Sequence, residues 1–127
     1  MLLVDDDHSL RRALARTLRL EGFDVTGYAS VEALLAAGVP ERDACLVLDV
    51  NLPGIDGIAF KRTLVEACRD LPTVFITALE PEDVSGPLAA LAPVAVLFKP
   101  FKNEDLLAAI GRAGVCFGPT RTDGAES

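Results

Sequence analysis

The sequence predicts a doubly wound α/β fold, with five parallel strands in one sheet, (βα)5 connectivity and helices covering both faces. Short apolar runs alternate along the chain with helix-length periodic segments. The central runs are apolar almost throughout, as strands buried on both faces are. A length of 127 residues admits one ordinary core and not two, so a single domain is expected.

The elements follow in order. Met1 to Val4 is a first strand. The next helix carries Leu10, Leu14 and Leu18 on one face, turns Arg11, Arg12, Arg16 and Arg19 mainly outward, and ends at Gly22. Phe23 and Val25 alternate as a second strand. Ser30 is a good N-cap for a short helix from Val31 to Ala37, which Gly38 terminates. Cys45 to Val50 is the third strand and the most central.

The run from Asn51 to Gly57 is a dense loop signal, followed by a helix with Phe60, Leu64 and Cys68 four residues apart. Thr73 to Thr77 is the fourth strand. Prolines 81, 87 and 93 and Gly86 bracket or interrupt the segment from Glu82 to Ala92, which predicts a short or irregular fourth helix. Val94 to Phe98 is the fifth strand, and Asn103 caps a last helix through Leu106, Leu107 and Ile110. The Gly, Pro, Thr and Asp content after Gly114 reads as a flexible tail, 115–127, behind a domain spanning 1–114.

Composition narrows the function classes. With 50% hydrophobic and 24% charged residues, neither disorder nor a fibrous fold is indicated. No apolar run is long enough to span a bilayer, and the N-terminus lacks a basic start and long apolar stretch, so a cytoplasmic location is expected. A formal charge of −7 argues against direct nucleic-acid binding by this chain, because binding phosphates needs clustered Lys and Arg. Cys45, Cys68 and Cys116 form no close pair, which suits reduced thiols better than disulfides or a zinc site. Cys45 and Cys68 fall within apolar patterns and read as core.

The informative edge of a parallel sheet is the one where the strand C-termini open, since ligands bind there. The first strand ends in Asp5-Asp6-Asp7, the third in Asp49, the fourth in Thr77 and the fifth in Lys99; the second delivers no such group. Taken singly, each has a structural explanation: a turn former or helix N-cap, a strand threonine, a solvated lysine. Four strand ends together are more specific. Clustered carboxylates repel one another, so an acidic pocket asks for a cation, and hard oxygen ligands select Mg²⁺, for which Mn²⁺ can substitute. A metal would bring a donor's phosphate beside Asp49. A carboxylate can attack phosphorus to give an aspartyl phosphate, with Lys99 neutralising one phosphoryl oxygen and the Thr77 hydroxyl donating to another. His8 lacks a second nitrogen or sulfur ligand nearby and reads as a surface residue at a helix start.

Leu2-Leu3-Val4-Asp5-Asp6-Asp7, Leu46-Val47-Leu48-Asp49 with Leu52-Pro53-Gly54 and Asp56-Gly57, Ile76-Thr77-Ala78, and Phe98-Lys99-Pro100-Phe101 together resemble the receiver family of response regulators. The match runs from Met1 to about Gly114, with motifs in family order. It implies a flavodoxin-like fold and a phospho-acceptor switch in two-component or phosphorelay signalling. Asp5 and Asp6 become the acidic pair, Asp49 the phosphorylation site, Thr77 the switch hydroxyl and Lys99 the conserved-role lysine. The Asn51 backbone carbonyl becomes a metal ligand, and the Lys99–Pro100 bond is implied to be cis. The implied partners are a histidine kinase or histidine phosphotransfer protein, and an output domain or target protein. Tyr28-Ala29-Ser30 and the sequence after Asp49 most resemble receivers attached to helix-turn-helix output domains.

Two departures bear on the switch. Val96 stands three residues before the lysine, where the family usually has Tyr or Phe, which implies a damped or differently transmitted response. Pro93 ends the fourth-helix region where the family often has a Gly-Ala turn. Two other readings use some of the same residues. Asp5-x-Asp7-x-Ser9 could be the motif of a small aspartate-nucleophile phosphatase of the haloacid-dehalogenase type, although that gives Asp49 no role. A receiver fold that binds partners without phosphorylation is the other, to which Val96 points.

Overall fold

The fold is described from a computed structural model, covering residues 1–40, 44–52, 54–67, 71–80, 86 and 88–112. The strands are β1 (Leu2–Val4), β2 (Thr26–Tyr28), β3 (Leu46–Asp49), β4 (Thr73–Thr77) and β5 (Ala95–Phe98). The helices are α1 (His8–Leu20), α2 (Val31–Ala37), α3 (Gly57–Glu66) and α4 (Asn103–Arg112). All neighbouring strands pair in parallel, in the order β2-β1-β3-β4-β5. The expected five-stranded, doubly wound sheet is therefore present, in the flavodoxin-like order.

Side-chain alternation along each strand divides the core in two. Leu2, Val4, Leu46, Leu48 and Phe75 join Val31 and Leu34 of α2 and Phe60 and Leu64 of α3. Leu3, Val47, Val74 and Ile76 join Leu14 and Leu18 of α1 and Leu106 and Ile110 of α4. The apolar runs lack polar positions because each face of the sheet has its own helical cover.

Helix boundaries follow local hydrogen-bonding chemistry. Asp7 caps α1, accepting from the Leu10 N–H at 3.1 Å. The far end closes as a Schellman turn: Gly22 has φ +97°, its N–H donates to the Arg19 carbonyl, and the Phe23 N–H donates to the Leu18 carbonyl. Ser30 caps α2 as expected, and Asp56 caps α3 by accepting from Ala59 N–H at 2.7 Å. Asn103 is not a cap. It is the first helical residue, and Asp105 instead reaches back to accept from the Lys102 N–H at 3.2 Å.

The second strand lies further along than Phe23 and Val25. Their backbone belongs to the end of α1, where the Schellman bond takes the Phe23 N–H and the Arg19 guanidinium takes the Val25 carbonyl at 2.8 Å. Pairing with β1 begins only at Thr26. Of the fourth-helix segment, Gly86 and residues 88–89 are helical, and Ala92 has φ +48° before Pro93. Residues 81–85, Pro87, Cys68, Cys116 and the tail 115–127 lie outside the described residues. Among the described residues, no helix is long and apolar enough to cross a membrane.

Lys61 departs from the pattern. It lies on α3 next to Phe60, is fully buried, and donates through Nζ to the Leu71 carbonyl at 2.9 Å.

Leu18 and Leu20 test this account of α1, being the same residue type two positions apart. Leu18 is fully buried and Leu20 is 77% exposed. Leu18→Ala should cost about 2–5 kcal/mol in urea unfolding, and Leu20→Ala less than about 0.5 kcal/mol. Equal costs would contradict the packing described.

Candidate functional site

The strand order puts β1 and β3 side by side, and their C-terminal ends present Asp5 and Asp49. Both side chains are buried. Each carboxylate commits one oxygen to a backbone N–H two residues on: Asp5 Oδ1 accepts from Asp7 at 2.9 Å, and Asp49 Oδ1 accepts from Asn51 at 3.0 Å. The other oxygens share a cation. Lys99 Nζ, just beyond β5, donates to Asp49 Oδ2 at 3.1 Å and to Asp5 Oδ2 at 3.4 Å.

Asp6 completes the cluster from the exposed rim. Asp5, Asp6 and Asp49 each offer an oxygen, and these oxygens lie within 4.8 Å of one another. Asp7 stands apart from them as the α1 cap, which separates the acidic pair from its neighbour. Thr77, at the end of β4, is fully buried; its Oγ1 accepts from the Leu79 N–H at 3.0 Å, leaving the hydroxyl hydrogen to donate. In the β3–β4 register Asp49 faces Ile76, and in the β4–β5 register Thr77 faces Phe98, so the three strand ends meet at one edge. The Lys99–Pro100 bond is cis.

Electrostatics follow from burial. Desolvation pushes the Asp5 carboxyl from 3.8 up to about 6, with the Asp49 charge adding to it, against the lowering influence of the Asp7 N–H and Lys99. Partial burial alone would lower Lys99; the hydrogen bond and charge of Asp49, with those of Asp5, outweigh it and raise the ammonium pKa. One ammonium among three carboxylates leaves the cluster net negative. Its all-oxygen donor set is compatible with a hard divalent cation.

Three supporting roles escaped the sequence reading. Arg11 donates through Nη1 to the Asp5 carbonyl at 2.7 Å and lies against Gly27. Gly57 sits so close to the Asp49 backbone that a Cβ there would overlap the Asp49 carbonyl oxygen. Glu32 of α2 accepts from the Ile55 N–H at 3.3 Å. No period or motif flags an arginine as a backbone tie, whereas the Asp-Gly pair at 56–57 was visible but read as loop. Val96, at the departing position, is half-buried against the core on the α2–α3 side and pairs with Phe75.

Residues 1–111 match the family described as response regulator receiver domains. Nodulation protein W of Bradyrhizobium diazoefficiens is 35% identical over 112 residues, covering 87% of this chain and 48% of that protein. The transcriptional regulatory protein FixJ of Rhizobium meliloti is 34% identical over 113 residues, covering 87% of this chain and 54% of that one. The solved structure of response regulator StyR superposes with a TM-score of 0.81 at 35% identity, covering 88% of this chain and 57% of that chain. The chain thus spans about half the length of these relatives.

With its folded pKa raised, Asp5 keeps a proton that the unfolded chain releases, so its contribution to stability is present below about pH 4 and lost as pH rises to about 6. The loss is on the order of 2–3 kcal/mol. In chelator, the stability of the parent relative to Asp5→Asn should therefore fall between pH 4 and 7 in urea titrations; a rise would contradict the burial argument. Gly57→Ala should cost roughly 1–3 kcal/mol through overlap with the Asp49 carbonyl. Gly111→Ala, in open space on α4, should instead gain about 0.5–1 kcal/mol. Equal melting shifts for the two would contradict the close approach.

Proposed function

This chain belongs to the response regulator receiver family, a regulatory rather than an enzymatic family, and from that premise we propose that Asp49 is its phospho-acceptor. The observation that carries the proposal is the single ammonium of Lys99 bridging Asp5 and Asp49 across neighbouring strand ends. That arrangement holds a nucleophilic carboxylate, an acidic partner and a fixed positive charge within one small volume. Asp5, Asp6 and Asp49, with the Asn51 backbone carbonyl, would hold Mg²⁺, or Mn²⁺ in its place. When bound, the metal supplies the positive charge that lets phosphoryl oxygens approach three carboxylates.

In the proposed reaction an Asp49 carboxylate oxygen forms a bond to phosphorus as the phosphorus–nitrogen bond of a phosphohistidine breaks. The imidazole nitrogen leaves with the electron pair and takes up a proton. Lys99 offsets charge on one phosphoryl oxygen, and the Thr77 hydroxyl donates to another. The donor would be a histidine kinase or histidine phosphotransfer protein working in the cytoplasm. The reader of the switch would be an output domain or a target protein, the switch itself occupying residues 1–114. Val96 is β-branched with a stiff χ1 and has little room to move between exposed and buried states. The response is therefore expected in the segment following Thr77 rather than along β5.

Incubation with acetyl phosphate and Mg²⁺, followed by mass spectrometry, tests the assignment. The adduct should map to Asp49, require the metal and vanish in Asp49→Asn, whose circular dichroism should match the parent because size and shape are kept. Labelling that survives in Asp49→Asn, or turnover through Asp5, would refute it.

A further inference from the structure

We propose that Glu32 is a positioning residue, its carboxylate latching the loop between β3 and α3 so that the Asn51 carbonyl is held beside Asp49. The inference rests on the reading of Asn51 as a metal ligand given above. Glu32 lies in the first turn of α2, where an acid ordinarily does no more than complement the helix dipole. The cap is already made there, by Ser30 to the Ala33 N–H. Glu32 reaches away from its own helix instead, and Oε2 accepts from the Ile55 N–H, 23 residues along the chain, at 3.3 Å.

The same oxygen occupies the space beside Gly54 that a Cβ there would need. Gly54 has φ +74°, a conformation that side chains rarely adopt. Glycine here therefore meets two demands at once: the turn, and room for the carboxylate.

The loop needs such a tie because of what lies on either side. Its start is fixed by the Asn51 N–H on Asp49 Oδ1 and by buried Leu52. Its end is fixed by the Gly57 N–H on the Val50 carbonyl and by the Asp56 cap. Between these, Gly54 has no side chain, and that of Ile55 is partly exposed. Among the described residues, the bond to Glu32 is the one hydrogen bond that Gly54 and Ile55 make to another element. A backbone carbonyl can ligate only as well as its loop is ordered. Pre-ordering spares the binding step that cost.

Glu32→Ala and Glu32→Gln separate a latch from a general effect on α2, since the glutamine oxygen can still accept from Ile55 N–H. In metal-free protein, Glu32→Ala should speed exchange of the Ile55 amide proton several-fold, with the melting temperature unchanged. In a Mg²⁺ titration followed by NMR it should weaken binding roughly three- to tenfold, and Glu32→Gln should return both quantities to within about twofold of the parent. Acetyl phosphate labelling of Asp49 in Glu32→Ala should slow at low Mg²⁺ and recover at saturating Mg²⁺. Unchanged Ile55 exchange and Mg²⁺ affinity in Glu32→Ala would overturn the proposal, as would a glutamine variant that behaves like alanine. If the parent takes no phosphoryl group, the acceptor reading fails, while Ile55 exchange and Mg²⁺ affinity still decide the latch.

Discussion

The Lys99 ammonium, shared between two buried carboxylates, is the interaction on which the rest of the rim depends. Asp5 and Asp49 come from adjacent strands, and β5, which delivers Lys99, is separated from β3 by β4. The lysine must therefore reach past the end of β4, where Thr77 sits, to touch both acids. Without that cation, two desolvated carboxylates would face each other with little to offset their repulsion. With it, the cluster still carries more negative than positive charge once Asp6 is counted. Positive charge is partly built in and partly left to a ligand, which suits the proposed recruitment of a metal and then a phosphoryl group.

The platform beneath is what makes such reach reproducible. Four strand ends are locked in parallel register, and each sheet face is sealed by its own helices, so the side chains project from nearly fixed points. Close backbone approaches refine the positions. Arg11 ties down the Asp5 carbonyl, and Gly57 lets the start of α3 press against Asp49. These residues touch the backbone of the acids rather than their reactive oxygens. Their contribution is order, the larger part of what a phosphoryl acceptor needs from protein when the metal supplies the charge.

Much of this was legible in the sequence because it is written in short-range patterns. The strand order of Asp5, Asp49, Thr77 and Lys99, the Ser30 cap and the apolar runs all follow from periodicity and strand-end chemistry. What was not legible depends on tertiary partners. Phe23 and Val25 alternate like a strand, yet the Schellman turn and Arg19 claim their backbone. Asn103 looks like a cap, yet Asp105 does the capping from inside the helix. Lys61 carries a charge beside an apolar stripe, and only the fold reveals the Leu71 carbonyl that receives it. The Asp56-Gly57 pair shows the same limit from the other side: its turn chemistry was plain, but its use as a helix start packed on Asp49 was not.

Whether the acids bridged by Lys99 form a metal-dependent acceptor for a phosphoryl group can be read from backbone NMR with Mg²⁺ and then beryllofluoride, a phosphoryl mimic. Mg²⁺ alone should perturb residues around Asp5, Asp6, Asp49 and Asn51. Beryllofluoride should then add perturbations at Thr77 and Lys99 only when Mg²⁺ is present, and none in Asp49→Asn. Binding of the mimic without metal, or unchanged binding in Asp49→Asn, would contradict it.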